Sequence, residues 1–177
     1  MKTKLCCFDF DGTLIDTPVA SPENKEKWAS HHGEPWPYKG WWGRPESLDR
    51  EVWDMQPIAE VYRDYVTHSK DPKNLMVMLT GRLESQSELV KDILDDNGMY
   101  FDHYFFNSGG NTLNEKIKYF NAILKKYPNI REVELWDDRP KHFTAFKNWG
   151  QEMKSTGRID SFYLNEIQSD QWTNFVE

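Results

Sequence analysis

An apolar run near the start of the chain, Leu5–Phe8, constrains the fold most, because it passes almost directly into two aspartates, Asp9 and Asp11. Four apolar residues in succession predict a short strand that is buried on both faces. Asp9 and Asp11 are two positions apart, so their side chains share one face of an extended chain. Gly12 then allows a tight turn. The pattern therefore predicts a buried strand that ends in two negative charges.

Other apolar runs along the chain alternate with helical patterns. The runs predict further strands at Asn74–Leu79, Asp102–Asn107, Glu132–Trp136 and Ser161–Leu164. Apolar residues at helical spacing predict helices within Pro57–His68, Leu89–Leu94, Thr112–Leu124 and Pro140–Trp149. Short buried strands that alternate with helices are typical of a parallel sheet covered on both faces. We therefore predict one α/β domain over residues 1–177, a Rossmann-like three-layer α/β/α sandwich with a mainly parallel sheet.

Four residues are expected to mark the ends of these helices. Gly98 stands where the C-terminal cap of a helix is expected, and Gly150 stands where the last predicted helix would stop. Thr112 and Glu115 have the spacing of a capping box at a helix N-terminus. These signals set the expected lengths of the helices that cover the sheet.

One segment, residues 17–54, departs from this pattern. It has little hydrophobic periodicity and is rich in proline, glycine and tryptophan. Five of the eight tryptophans of the chain lie in it, Trp28, Trp36, Trp41, Trp42 and Trp53. We predict a small irregular insertion after the first strand, which serves as a flap or a small cap. Its tryptophans either pack as a small core, which is the commoner outcome, or stay exposed and stack on a base.

Composition narrows the classes of protein to which the chain can belong. The net charge of −7 opposes non-specific binding to nucleic acid or anionic lipid, although it leaves room for a local basic patch. No window approaches 18 consecutive apolar residues, so no membrane span is expected. The first residues do not fit a signal peptide, which predicts a cytoplasmic protein. Adjacent Cys6 and Cys7 point to opposite faces of a strand, so we expect both to be reduced and buried.

Polar groups follow three of the predicted strands. The first strand is followed by Asp9 and Asp11, the second by Thr80–Arg82, and the fourth by Asp137 and Asp138. Ligands of open α/β sheets bind beyond the carboxyl ends of the strands, so these groups converge if the three strands are parallel and adjacent. Four gathered carboxylates repel one another, and a hard cation such as Mg²⁺ relieves that repulsion. A lone aspartate pair is more often a solvated turn, so the ordered set is what indicates a site.

The segments FDFDGTL, LTGR, a lysine and WDDR together resemble the four-motif signature of the haloacid dehalogenase-like (HAD) phosphatases, over Lys4 to Trp149. The resemblance implies that Asp9 is a nucleophile that forms an aspartyl-phosphate. It implies that Asp11 is the general acid and base. It also implies that Mg²⁺ is the cofactor. The implied metal ligands are Asp9, Asp11, Asp137 and Asp138.

The same resemblance implies how the phosphoryl group is bound. Thr80 and the backbone N–H of Gly81 would hold it, and a lysine would neutralise its charge. Lys116 and Lys118 both lie early in the helix predicted from Thr112, and Lys116 is favoured because it lies nearer the helix N-terminus. Further candidate phosphate contacts are Gly12, Thr13, Arg82 and Arg139. A structural salt bridge is the alternative role for the two arginines.

The chain is also similar to one branch of that superfamily, the Swiss Army knife RNA repair-like domain. The similarity lies in Thr17–Pro18, Trp28, Gly40–Trp42, Pro45, Trp53 and Asp137–Phe143. A looser similarity exists to the phosphatase half of polynucleotide kinase-phosphatases. The resemblance implies removal of a terminal phosphate from an RNA or DNA end. We expect neither a membrane nor an obligate protein partner.

Other functions stay open at this level. The substrate could instead be a nucleotide or another small phosphate ester, and the phosphoryl acceptor could be a group other than water. The acidic site could also hold Mg²⁺ without catalysis, in a binding module. A nucleic-acid end would need local cations, for which the candidates near the motifs are Lys39, Arg44, Arg82, Arg139 and Lys141. The motif GxxxxGK[ST] is absent from the sequence, so no P-loop is expected.

Overall fold

Strands and helices alternate along most of the chain, as the sequence predicts. The computed structural model describes residues 1–169. The strands in that range are β1 Lys4–Phe8, β2 Asn74–Leu83, β3 His103–Asn107, β4 Glu132–Asp137 and β5 Ser161–Glu166. The α-helices in that range are α1 Pro22–His32, α2 Ala59–Ser69, α3 Ser87–Asp96, α4 Thr112–Lys126 and α5 Pro140–Ser155. Two 3-10 helices lie at Pro45–Leu48 and Glu84–Gln86. None of these helices has the length and hydropathy needed to cross a membrane.

The strands form one parallel sheet in the order β3-β2-β1-β4-β5. β1 lies at the centre, between β2 and β4. Phe8, its last residue, is level with Met78 of β2 and Trp136 of β4. Because all strands point the same way, the segments that follow β1, β2 and β4 meet at one edge of the sheet, termed here the carboxyl edge. The predicted α/β fold is confirmed.

Side-chain alternation along β1 separates two hydrophobic cores. Cys6 and Phe8 point into a core that includes α2, α3 and the insertion of residues 17–54. Leu5 and Cys7 point into a second core with α4 and α5. Both cysteines are buried free thiols on opposite faces, as predicted. Helices therefore cover both faces of the sheet, in the three layers that the sequence indicates.

Two of the predicted helix ends are wrong. Gly150 does not end α5, which continues beyond it. A Cβ at this position would lie 2.3 Å from Cγ of Phe162, so the glycine allows α5 to pack closely on β5. The N-cap of α4 is Asn111 rather than Thr112, because the Asn111 side chain accepts a backbone hydrogen bond from the first turn. Gly98 does follow α3, with a φ of 72°, as predicted.

The insertion is not wholly irregular, since α1 lies within it. This helix buries a single residue, Trp28, so it lacks the apolar stripe by which a helix is recognised in a sequence. Its start is set by Ser21, whose side chain accepts a backbone N–H of the first turn at 3.1 Å. Trp28, Trp41 and Trp53 are buried, so these three pack as core. The role of the insertion as a flap or cap stays a prediction.

Candidate active site

The carboxyl edge gathers the acidic groups that follow β1 and β4. Asp9 comes directly after β1, and its N–H donates to the carbonyl of Trp136 on β4 at 2.9 Å. Asp137 ends β4, and Asp138 follows it. One carboxylate oxygen from each of Asp9, Asp137 and Asp138 lies within 4.8 Å of the others. The structure therefore brings together three of the four carboxylates that the sequence predicts to converge.

Lys116 joins this group from the first turns of α4. Its Nζ donates to Oδ1 of Asp9 at 2.9 Å and to Oδ2 of Asp137 at 2.7 Å. The Lys116 side chain is 5% exposed, whereas Lys118 is exposed on another side of the helix. Residues two apart in an α-helix point in different directions, so only one of the two lysines can reach the carboxylates. The structure places Lys116 there.

Burial and charge shift the protonation of this cluster. Burial raises the pKa of Asp9 to about 6; Lys116 opposes that shift, and Asp137 and Asp11 add to it. Burial by itself would lower the pKa of Lys116, but the carboxylates of Asp137 and Asp9 overcome it and raise the pKa. Burial lowers the pKa of His142 to about 4, and the charge of Lys116 acts in the same direction. Lys116 is therefore an ammonium at neutral pH beside a neutral imidazole.

The turn after β1 contacts two of the clustered carboxylates. Gly12 has a φ of 69°, in the left-handed region, and its N–H donates to the carbonyl of Ile15 at 2.9 Å. The buried hydroxyl of Thr13 lies 3.2 Å from Oδ2 of Asp9 and 3.4 Å from Oδ1 of Asp138. Gly12 therefore forms the turn, and Thr13 orients two carboxylates. A phosphate contact by either residue stays a prediction.

Asp11 lies apart from the three clustered carboxylates and pairs with Arg82. Nε of Arg82 lies 2.9 and 3.0 Å from the two carboxylate oxygens, and Nη2 lies 2.7 Å from Oδ1. The hydroxyl of Thr17 donates to Oδ1 at 2.8 Å. The salt-bridge alternative for Arg82 is therefore present in the structure. Metal ligation by the Asp11 side chain and a phosphate contact by Arg82 stay predictions.

A cavity of about 90 Å³ opens beside these groups at the carboxyl edge. Its walls include Asp9, Asp11, Lys116 and Asp138. The other lining residues are Trp42, Gly81, Arg82, Thr112 and Arg139. A Cβ on Gly81 would lie 2.7 Å from Cγ2 of Thr112, so the glycine lets β2 pass close to the start of α4. The cavity is therefore bounded by the ends of three strands, one helix and the insertion.

Thr80 does not line this cavity with the residues above. It is buried near the end of β2, where its hydroxyl accepts the backbone N–H of Arg82 at 3.1 Å. A role for Thr80 in holding a phosphoryl group stays a prediction. The backbone of Gly81, the next residue, does line the cavity.

One residue of the cavity wall, Thr112, was not predicted from the sequence. For another, Trp42, the sequence left two roles open. Thr112 fits a helix start in the sequence, but it precedes Lys116 by four residues and so shares its face of α4. That spacing is the signal that could have found it. Trp42, for which packing and base stacking were both open, is half-buried at the cavity wall. The guanidinium carbon of Arg82 lies 5.5 Å from its ring centre.

The donor set suits a hard divalent cation. Asp9, Asp137 and Asp138 offer carboxylate oxygens, which are the ligands that Mg²⁺ prefers. The ammonium of Lys116 offsets one of the three negative charges, and a divalent cation would offset the other two. The backbone N–H of Arg139 donates to Oδ1 of Asp137 at 2.9 Å and fixes that carboxylate. The residues present therefore fit Mg²⁺.

A family of known domains matches this chain over residues 31–173. The family is described as HAD domain family 1 in Swiss Army Knife RNA repair proteins. The chain belongs to this family. The matched range of this HAD domain contains Thr80–Arg82, Lys116 and Asp138, and it begins after Asp9 and Asp11. The resemblance found in the sequence motifs is thus confirmed.

Two curated proteins are similar to this HAD domain over part of their own length. An uncharacterized protein of Saccharomyces cerevisiae is 25% identical over 173 residues, which cover 83% of this chain and 37% of that protein. A probable GTP-binding protein, EngB, of Phocaeicola vulgatus is 28% identical over 117 residues, which cover 64% of this chain and 53% of that protein. The chain therefore spans about half or less of the length of these relatives.

Two solved structures resemble this HAD domain in fold. A haloacid dehalogenase-like family hydrolase of Streptococcus pneumoniae has a TM-score of 0.52 at 12% identity, over 91% of this chain and 93% of its own. The HAD domain of the effector protein Lem4 of Legionella pneumophila, an inactive mutant, has a TM-score of 0.54 at 12% identity. That match covers 97% of this chain and 89% of the Lem4 domain. At this identity the likenesses show the HAD-like fold alone.

Proposed function

We propose that this HAD domain is a Mg²⁺-dependent phosphomonoesterase that works through a phosphorylated Asp9. The observation that carries the proposal is the position of the Asp9 carboxylate. Lys116 binds one of its oxygens, Asp137 and Asp138 lie within 4.8 Å, and the cavity opens beside it. Membership in a family of HAD domains, and a hydrolase with the same fold, support the reaction class.

The proposed reaction has two steps, in which Asp9 and Asp11 are the reacting residues. In the first, an oxygen of Asp9 attacks phosphorus, the P–O bond to the organic group breaks, and the leaving oxygen takes a proton from Asp11. In the second, water attacks phosphorus and gives a proton to Asp11 while the bond to Asp9 breaks. The products are an alcohol and inorganic phosphate. The proton that Asp11 gives to the leaving oxygen in the first step is returned to it by water in the second.

The residues around Asp9 position it and offset charge. Mg²⁺ would be held by Asp9, Asp137 and Asp138, where it would supply positive charge that brings the phosphoryl group against Asp9. Lys116 fixes one Asp9 oxygen and offsets negative charge as the new bond forms. Thr13 orients the carboxylates of Asp9 and Asp138 from their buried side.

The leading substrate is the phosphorylated end of an RNA. The family description, which refers to RNA repair proteins, supports this class of substrate. Trp42 at the cavity wall offers a flat apolar surface for a terminal base, and such stacking is worth about 1–3 kcal/mol per base. A small phosphate ester is the second candidate. The net charge of −7 favours it, because that charge opposes binding of a polyanion.

The reaction class is tested by hydrolysis of p-nitrophenyl phosphate with and without Mg²⁺. The parent chain is expected to be active only with Mg²⁺, and Asp9→Asn is expected to abolish turnover. Asp92→Asn, an exposed carboxylate change on α3, is the matched control and should retain parent activity. A parent chain that binds Mg²⁺ but hydrolyses no ester would favour the binding module. Activity of Asp9→Asn near the parent level would reject Asp9 as nucleophile.

The substrate class is tested by comparing a 3′-phosphorylated oligoribonucleotide with the matching nucleoside 3′-phosphate. For a polymer end, kcat/KM is expected to be higher for the oligonucleotide and to fall steeply as salt increases, because cations of the protein replace counterions of the backbone. Equal values for the two substrates with a flat salt response would favour the small ester.

A further inference from the structure

Arg82 links the turn after β1 to the insertion. On one side, its Nε and Nη2 donate to the carboxylate of Asp11 at 2.7 to 3.0 Å. On the other side, its Nη1 donates to Oγ of Ser47 at 2.8 Å and lies 3.3 Å from the carbonyl oxygen of Trp42. Ser47 and Trp42 belong to the insertion, and Trp42 also lines the cavity. One guanidinium therefore contacts both the proposed acid and the segment that borders the substrate.

We infer that Arg82 is a positioning residue for proton transfer: it orients the Asp11 carboxylate and makes that orientation depend on the insertion. The inference rests on the proposed function, in which Asp11 protonates the leaving oxygen. Of the two roles that the sequence leaves open for Arg82, it builds on the salt bridge and not on the direct phosphate contact. Arg82 then connects Asp11, the proposed acid, to the insertion, which borders the organic group of the substrate.

The geometry of the pair supports orientation rather than simple charge compensation. A guanidinium presents its donors in a rigid plane, so two nitrogens on one carboxylate fix the rotation of that carboxylate as well as its distance. Thr17, at the start of the insertion, donates to the same Asp11 oxygen at 2.8 Å. Asp11 is thus held by two residues, and both connect it to the insertion.

The surroundings of Arg82 hold the guanidinium itself in place. Its side chain is 1% exposed. Nη1 also donates to Oε1 of Gln86 at 2.9 Å, and Nε2 of Gln86 donates to the carbonyl of Trp42 at 3.0 Å. Ser47 is buried, and its hydroxyl donates to the carbonyl of Arg44 at 2.6 Å. A buried network with these partners confines Arg82 to one orientation, which a positioning residue requires.

Two roles for Arg82 differ in how they depend on the leaving group. A residue that acts through proton donation matters most for esters whose leaving oxygen is strongly basic, because those need the proton as the bond breaks. A residue that binds the phosphoryl group directly, or only stabilises the fold, affects all esters alike. The value of kcat/KM reports the first step, so its dependence on the leaving group separates the two roles.

The experiment measures kcat/KM with Mg²⁺ for p-nitrophenyl phosphate, a good leaving group, and for glycerol 2-phosphate, a poor one. Asp11→Asn is expected to lose on the order of 10²–10⁴-fold on the glycerol ester and much less on the nitrophenyl ester. Arg82→Lys, which keeps the charge but loses the planar fork, should lose about ten- to hundredfold on the glycerol ester and little on the other. Ser47→Ala should change the ratio in the same direction by a smaller factor.

Controls separate this inference from a structural role. Arg131→Lys alters an exposed arginine–aspartate pair at the opposite edge of the sheet and should leave both values unchanged. The double variant Asp11→Asn with Arg82→Lys should lose no more than Asp11→Asn alone, because both changes remove the same proton transfer. Circular dichroism and thermal unfolding check that each variant folds. If Arg82→Lys does not fold, the two esters are compared with Ser47→Ala instead.

The outcomes are distinct. If Arg82→Lys or Ser47→Ala lowers kcat/KM by the same factor for both esters, or if the double variant multiplies the two losses, Arg82 does not position Asp11. If the parent chain hydrolyses neither ester with Mg²⁺, the proposed function is wrong and this inference with it. If the parent chain is active, the ratio between the two esters decides the role of Arg82 alone.

Discussion

The two edges of the sheet arrange charge in opposite ways. At the amino edge, where the strands begin, cations pair with anions at or near the surface. These pairs are Lys2 with Asp102, Lys4 with Glu134, and Arg131 with Asp160. At the carboxyl edge, the side chains of Lys116 and Arg82 are at most 5% exposed, and they bind three carboxylates, those of Asp9, Asp137 and Asp11. The cations of the amino-edge pairs are 21% to 45% exposed, whereas the two cations of the carboxyl edge are buried.

This difference between the two edges predicts where a change of charge alters the stability of the fold. An ion pair in water gains little, because solvent screens the attraction and the side chains lose freedom when they pair. A buried charge without its partner is costly, because nothing replaces the water that it has lost. Changes at the carboxyl edge should therefore alter stability and metal binding strongly, whereas equivalent changes at the amino edge should not.

The largest effect is expected from Lys116→Met. Without the ammonium, Asp9 and Asp137 lose a buried partner, and the free energy of unfolding in urea at pH 7.5 should fall by about 3–5 kcal/mol in the absence of Mg²⁺. Mg²⁺ should restore part of the loss by binding the same carboxylates. The matched control is Lys118→Met, an exposed change two residues away. Equal, small effects of both variants would remove the contrast between the two edges.

The next largest effect is expected from metal removal. Mg²⁺ that binds only the folded chain, at a hundred times its Kd, should raise the free energy of unfolding by about 2.7 kcal/mol relative to EDTA. Asp138→Asn removes one carboxylate of the cluster and should reduce this gain. Thermal unfolding with Mg²⁺ and with EDTA measures both. A gain that Asp138→Asn leaves unchanged would place the ion elsewhere.

A smaller effect is expected from pH. The pKa of Asp9 is raised to about 6, so as the pH falls through 6 a proton competes with the metal for this carboxylate. The affinity for Mg²⁺ should be constant above that range and should weaken by about tenfold for each pH unit below it. Calorimetric titration at pH 7.5 and pH 5 measures the difference. The Asp9→Asn variant should bind weakly at both pH values, and equal affinity of the parent chain at both would contradict the assignment.

The smallest effect is expected at the amino edge. Arg131→Met breaks the exposed pair with Asp160, whose two side chains are 45% and 67% exposed. Solvent already screens this pair, so the urea midpoint should not move beyond experimental error, at low salt or at high salt. A clear loss of stability that high salt removes would show that the amino edge also stores significant electrostatic energy.

The strands that build the site could be predicted because their signals are local. β1 is an apolar run that Asp9 follows directly, β4 buries Val133, Leu135 and Trp136 and ends in Asp137, and β2 is an apolar run that leads into Thr80–Arg82. Any such run must be buried, and parallel strands bring their carboxyl ends together. The positions of Asp9, Asp137 and Asp138 followed from that reasoning.

Other features were not predicted, because their signals in the sequence are weak or are typical of another role. α1 buries a single tryptophan, so its helical form depends on a cap and on packing within the insertion rather than on periodicity. Gly150 resembles a helix stop in the sequence, but its role is to make room for Phe162 on β5. Thr112 resembles a cap, and the structure places it in the cavity wall.

The sequence by itself determined which reactive groups exist, in what order they come and at which edge of a parallel sheet they lie, because strand burial and direction follow from local patterns. Only the tertiary structure decided which cation holds which aspartate. Lys116 binds Asp9 across 107 residues, and Arg82 binds Asp11 across 71. Asp9 and Asp11 are two residues apart and chemically identical, so no local pattern distinguishes them. Their different environments arise because β1 passes α4 on one side and the insertion on the other.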